Sequence, residues 1–123
     1  MNIVDSSGWL EYLKGSDRAK YYEEALADAE NLIVPTIIFF EVFKKVLNER
    51  GRDVAIQVAV AMRTGIIISL DEVIAMEAAI LSSERKLPMA DAIILATAQR
   101  HGAILLTQDV HFQGIVGVKY FPA

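Results

Sequence analysis

Four carboxylates stand where an ordinary solvated acid is not expected: Asp5, Glu41, Asp91 and Asp109. Asp5 closes the apolar run Ile3-Val4, and Asp109 follows Leu105-Leu106 by way of Thr107-Gln108. Both are therefore expected at the carboxyl ends of strands, where ligands collect in α/β sheets. Asp91 shares a helical face with Ile94, Leu95 and Ala98, so its carboxylate opens an otherwise apolar stripe. Glu41 stands among Phe39, Phe40, Val42 and Phe43, a poor place for an unpaired charge. Each acid also has a plainer role open to it. Asp5 and Asp109 can form turns or caps, Asp91 can stabilise a helix start after Pro88, and Glu41 can pair with Lys44 or Lys45. Taken together they point further, because carboxylates crowded into a partly buried pocket repel, raise one another's pKa, and are relieved by a multivalent cation. With no cysteine and only His101 and His111, the ligands on offer are hard oxygens, which suit Mg²⁺ or Mn²⁺ and disfavour zinc. Such a cation can grip a phosphodiester, acidify water and stabilise a leaving oxygen.

The chain that must position these acids has 123 residues, 54% hydrophobic and 23% charged, which predicts one domain spanning residues 1–123 with a core of its own. The absence of cysteine excludes thiol catalysis, zinc ribbons and disulfide scaffolds. The opening Met1-Asn2-Ile3-Val4-Asp5 has no basic leader pattern, and the uncharged stretch from Asn31 to Phe40 is broken by Pro35 and too short to span a bilayer. No membrane association and a cytoplasmic location are the simplest expectations. Twelve Lys and Arg against sixteen Asp and Glu give a net charge of -4, which argues against a general electrostatic hold on nucleic acid. Contact with a polyanion must then be local or mediated by bound cations. The excess of acids over bases equals the number of candidate pocket acids.

Short apolar runs alternate with helical patterns along the whole chain. Ile3-Val4, Leu32-Ile33-Val34, Ile66-Ile67-Ile68, Ala103 to Leu106 and Val116 to Tyr120 read as strands, with the β-branched run at 66–68 expected at the centre of the sheet. Helices are expected through Trp9, Leu10 and Leu13, with the serines after Asp5 as caps, over Ser16 to Ala29, over Thr36 to Arg50 with Gly51 as the stop, and through Val54 to Met62. Ser69-Leu70-Asp71-Glu72 has capping-box form, which predicts a helix starting with Ser69 as its cap, and Met89 to Arg100 forms another, closed by His101-Gly102. This alternation predicts a three-layer α/β/α architecture with a parallel sheet covered on both faces.

The residues resemble a known family, the PIN-domain nucleases, and within it the small VapC-like toxins of toxin–antitoxin pairs. The likeness covers nearly the whole chain. It rests on the strand ending Asp5-Ser6-Ser7, on Pro35 followed by an apolar helix bearing Glu41, on Leu87-Pro88-Met89-Ala90-Asp91-Ala92-Ile93-Ile94, and on Leu105-Leu106-Thr107-Gln108-Asp109. The resemblance implies a central parallel five-stranded sheet and a Mg²⁺ or Mn²⁺ site made by Asp5, Glu41, Asp91 and Asp109 for metal-dependent endoribonuclease activity on RNA. It also implies supporting hydroxyls at Ser6 and Thr107, a homodimer, and a cognate VapB-like antitoxin whose tail covers the acidic pocket. Val110 departs from the family, whose members often carry a polar or basic residue there.

Two rival readings remain at this point. One is a catalytically silent PIN-like interaction module. The other is a phosphoacceptor receiver domain, which fits badly because Ile66-Ile67-Ile68 is followed by Ser69-Leu70 rather than by an acceptor aspartate. His111 lies close enough to Asp109 to be a peripheral member of the site, and Lys44, Lys45, Arg50 and Arg52 can track an RNA backbone or simply solvate a helix end.

Overall fold

Five parallel strands form one sheet in the computed structural model, which describes residues 1–123 throughout. They are β1 (Asn2–Val4), β2 (Leu32–Pro35), β3 (Ile66–Ile68), β4 (Ile104–Thr107) and β5 (Val118–Tyr120), in the spatial order β3-β2-β1-β4-β5. The helices are α1 (Ser6–Lys14), α2 (Glu23–Ala27), α3 (Thr36–Arg50), α4 (Arg52–Met62), α5 (Glu72–Arg85) and α6 (Met89–Arg100). The expected α/β architecture with a five-stranded parallel sheet is therefore present. All four residues of β2 are buried, which requires cover on both faces of the sheet, as parallel strands demand.

The strand order has a direct consequence for the site. From the central β1 the chain builds outward to β2 and β3, then returns to place β4 and β5 on the other side. The reversal lies between β1 and β4, where Ile3 pairs with Leu105 and Val4 with Leu106. Connections diverge there, which leaves a crevice beyond the carboxyl ends of those two strands.

Three local expectations are corrected. The run Ile66-Ile67-Ile68 is an edge strand rather than a central one, and Ile67 is 38% exposed. β-Branched residues report that a segment is extended and partly covered, but carry no information about its rank in the sheet. The cap of α5 is Asp71, whose carboxylate accepts from the Ile74 N–H at 2.8 Å, two residues beyond the serine of the apparent capping box. Either residue can cap, and the register that buries Ile74 and Ala78 selects the aspartate. Finally, Ser16 to Ala29 is a 3-10 turn over Asp17–Tyr21 followed by the short α2, not one helix. Its buried residues, Ala19, Tyr22 and Ala25, recur every three positions, a period that a tighter turn satisfies better than an α-helix.

Candidate metal centre at the sheet crevice

Asp5 occupies the crevice because β1 runs directly into α1 there. Its N–H donates to the Leu106 carbonyl at 3.0 Å, continuing the β1–β4 ladder by one residue, and its side chain caps α1 by accepting from the Ser6 N–H at 2.8 Å. The cap is thus the aspartate itself, where the following serines were expected to serve. The other carboxylate oxygen, Oδ2, accepts from the Thr107 hydroxyl at 2.7 Å and from the Ser7 hydroxyl at 3.3 Å. Asp5 is only 3% exposed, and Thr107 is fully buried. The first turn of α1 can come this close to the sheet because residue 8 is glycine. A Cβ there would stand 2.7 Å from the Tyr22 ring and from a Val4 methyl, closer than real contacts allow.

Asp109 is fixed by the same threonine. Its N–H donates to Thr107 Oγ1 at 3.0 Å, and its Oδ1 accepts from the His111 N–H at 2.9 Å, capping the 3-10 turn Val110–Phe112. Asp91 comes from the first turn of α6, the most deeply buried helix, in which Ala92 through Ala98 are all buried. Its side chain is 13% exposed and its Oδ2 lies 2.8 Å from His111 Nδ1, which is also 3.3 Å from Asp109 Oδ1. One ligand atom each from Asp91, Asp109 and His111 lies within 4.8 Å of the others, a span suited to a single cation.

Glu41 approaches from α3. Neither lysine expected as its partner takes it: Lys45 pairs with Glu49 at 3.1 Å, and the Lys44 ammonium lies over the Phe40 ring. Glu41 Oε1 is instead buried with no hydrogen-bond partner. An orphaned carboxylate oxygen facing other acids is an unusual thing for a fold to retain without a ligand.

The electrostatics show that the four acids share one field. Burial, then the charge of Asp5, pushes the Glu41 carboxyl above its usual range, with further repulsion from Asp91 and Asp109 and an opposing hydrogen bond from Ser6. Asp5 is raised by burial, against the hydrogen bonds from Thr107 and Ser6, and then by Asp91 and Asp109. Asp91 is raised by burial and by Asp109, while the His111 hydrogen bond works the other way. His111 is raised in turn, chiefly by that bond to Asp91 and next by the charge of Asp109. Mutual repulsion of this kind is what a divalent cation relieves, and the donor set of carboxylate oxygens with one imidazole fits such an ion.

A family model for the PIN domain matches residues 3–117. The chain belongs to the PIN domain family. Among solved structures, this PIN domain is similar to a chain of a toxin–antitoxin complex from Klebsiella pneumoniae, with 27% identity, a TM-score of 0.85 and 100% of both chains covered. It also shares its fold with DNA-bound VapBC from Salmonella typhimurium, at 14% identity and a TM-score of 0.77, covering 99% of this chain and 98% of the other. A third neighbour is VapC20 from Mycobacterium tuberculosis, described as a sarcin-ricin loop cleaving toxin, at 15% identity and a TM-score of 0.66, covering 84% and 85%. No curated protein matches the sequence. The expected resemblance to VapC-like PIN domains therefore holds, and the receiver-domain alternative falls away.

Within this PIN domain Asp91 and Asp109 meet at one point together with His111, Thr107 links Asp5 to Asp109, and Glu41 lies near enough to feel the charge of the other three acids. Ser6 contributes its backbone N–H to Asp5. His111, expected only at the periphery, touches two of the acids. The available signal was its position two residues after Asp109, within the turn that Asp109 caps. No helix of the chain is long and apolar enough to cross a membrane.

Proposed function

We propose that this PIN domain is a metal-dependent endoribonuclease that hydrolyses RNA phosphodiester bonds as the toxin of a VapBC-type pair. PIN domains are nucleases, and the observation that carries the reading for this chain is the acid crevice with its buried, unpartnered Glu41 Oε1. Asp91 and Asp109 would hold a Mg²⁺ or Mn²⁺ ion, with Asp5 adding charge from a position fixed by Thr107 and Ser7, and with His111 at the open side. Bound there, the cation supplies positive charge to the phosphodiester and acidity to water. Glu41, whose carboxyl is held above its usual range, is suited to orient the attacking water and accept its proton. The 51% exposed His111 side chain borders the entrance, within reach of the same cation. The net charge of -4 requires that an RNA be gripped locally at the cation rather than over a broad basic face.

Support for an antitoxin partner comes from the neighbouring toxin–antitoxin complexes. This chain has two exposed apolar surfaces for that partner and for a homodimer, one around Phe39, Phe40 and Phe43 on α3 and one around Leu70, Ala79 and Met89. The deciding experiment incubates the purified chain with structured RNAs and Mg²⁺ or Mn²⁺, with EDTA and Asp91→Asn as controls. Cleavage abolished by both controls is expected. Cleavage that survives both, or intact RNA in the presence of normally bound metal, would remove the nuclease reading and leave a silent binding module.

A further inference from the structure

A second polar cluster braces the wall of the crevice, and its members come from distant parts of the chain. Arg18, in the 3-10 turn before α2, donates from Nε to Gln108 Oε1 at 2.7 Å and from Nη2 to the Phe121 carbonyl at 2.9 Å. The hydroxyl of the fully buried Tyr22 donates to the same Gln108 oxygen at 3.2 Å. Gln108 is the residue between Thr107, which holds Asp5, and Asp109. The Phe121 N–H returns to the Thr107 carbonyl at 2.9 Å, and the Phe121 ring stacks on Tyr21 with centroids 4.8 Å apart. The guanidinium therefore grips both the turn that carries Asp109 and the segment that flanks that turn.

We propose that Arg18 and Gln108 are positioning residues for cation binding, forming a clamp that fixes the Thr107–Asp109 turn and thereby sets the affinity of the acid crevice for a divalent ion. The proposal rests on the reading of that crevice as a cation site. The geometry favours it over a plain surface ion pair. Arg18 reaches Glu11 only at 3.9 Å, while its short bond goes to a neutral amide adjoining the site. Gln108 Oε1 has two lone pairs and both receive a donor, so the amide is held from two directions. A planar fork serves two divergent acceptors at once, which a lysine ammonium at the same place does poorly. Tyr22 ties the clamp to Asp5 as well, because its ring packs where Gly8 leaves room in the first turn of α1.

The test is Mn²⁺ binding by calorimetry to the wild type, Arg18→Lys, Gln108→Met and the double variant. Urea unfolding without metal and RNA cleavage against Mn²⁺ concentration are measured on the same preparations. Each single change is expected to weaken Mn²⁺ binding by about tenfold, the scale found for groups that orient metal ligands. The Mn²⁺ concentration for half-maximal cleavage should move by the same factor while the KM for RNA stays put. The double variant should be no worse than either single one, because the two residues act as a unit. Affinities within about twofold of wild type, or losses that add in the double variant, would overturn the clamp. Should Arg18→Lys fail to fold, Gln108→Met alone decides, since it removes the shared acceptor at a partly exposed position, and metal-free urea unfolding separates the cost of the unpaired Tyr22 hydroxyl from the change in Mn²⁺ affinity. A wild type that binds Mn²⁺ without cleaving RNA removes the proposed function and leaves this comparison standing. A wild type that takes up no Mn²⁺ overturns both.

Discussion

The Thr107 hydroxyl donates to Asp5 Oδ2 at 2.7 Å, and the same oxygen accepts the N–H of Asp109 at 3.0 Å. A single fully buried side chain thereby couples the acid that ends β1 to the acid that follows β4. Thr107→Val keeps the shape and removes both bonds, leaving Asp5 Oδ2 with the longer Ser7 contact and the Asp109 N–H without its partner. A loss of about 1–3 kcal/mol in urea unfolding is expected, together with weaker cation binding. Unchanged unfolding and unchanged Mn²⁺ affinity would mean that the hydroxyl is dispensable.

The acids themselves set a pH dependence whose sign can be worked out. Asp5 and Asp91 are held above the usual 3.8, and Glu41 above 4.5, so the cation-free folded chain keeps protons that the unfolded chain has already released. Their stabilisation is fully present below those unfolded values and is lost as pH rises through the raised folded ones. His111 acts in the same sense: raised from 6.5, its contribution is present below that value and fades as pH climbs through the raised one. Without metal, the melting temperature is expected to fall as pH rises above the unfolded carboxylate values, and further as pH rises above 6.5 and His111 gives up its proton. Saturating Mn²⁺ should flatten or reverse that slope, since the ion binds the ionised carboxylates. A flat profile in EDTA would show that the acids do not burden the fold.

The imidazole of His111 would offer a nitrogen beside the oxygen donors of the proposed cation site, and nitrogen ligation discriminates against Mg²⁺ more than against Mn²⁺. His111→Ala is expected to narrow the preference for Mn²⁺ over Mg²⁺ by about tenfold in competition calorimetry. An identical ratio in the variant would place His111 outside the ligand set.

Much of this arrangement was legible in the sequence because each acid interrupts an apolar pattern. Asp91 breaks the buried stripe of α6, Glu41 breaks the aromatic run of α3, and Asp5 and Asp109 end apolar strands. Periodicity exposes such interruptions without any knowledge of the tertiary fold. Contacts that involve ordinary surface-type residues leave no such trace. Arg18 and Gln108 are separated by 90 positions, and nothing in either neighbourhood marks one as the partner of the other. The placement of the Ile66–Ile68 strand at the sheet edge was equally hidden, because strand order depends on how the crossovers pack rather than on the strand itself. The choice of Asp71 over Ser69 as a cap was settled by which register buries Ile74, a tertiary matter.

The bond from Thr107 to Asp5 spans 102 positions, so most of the domain lies between its two ends. Contacts between segments this far apart form late, because the intervening loop loses entropy before the contact repays it. A partly folded domain in which β4 has not yet docked beside β1 therefore holds no finished crevice.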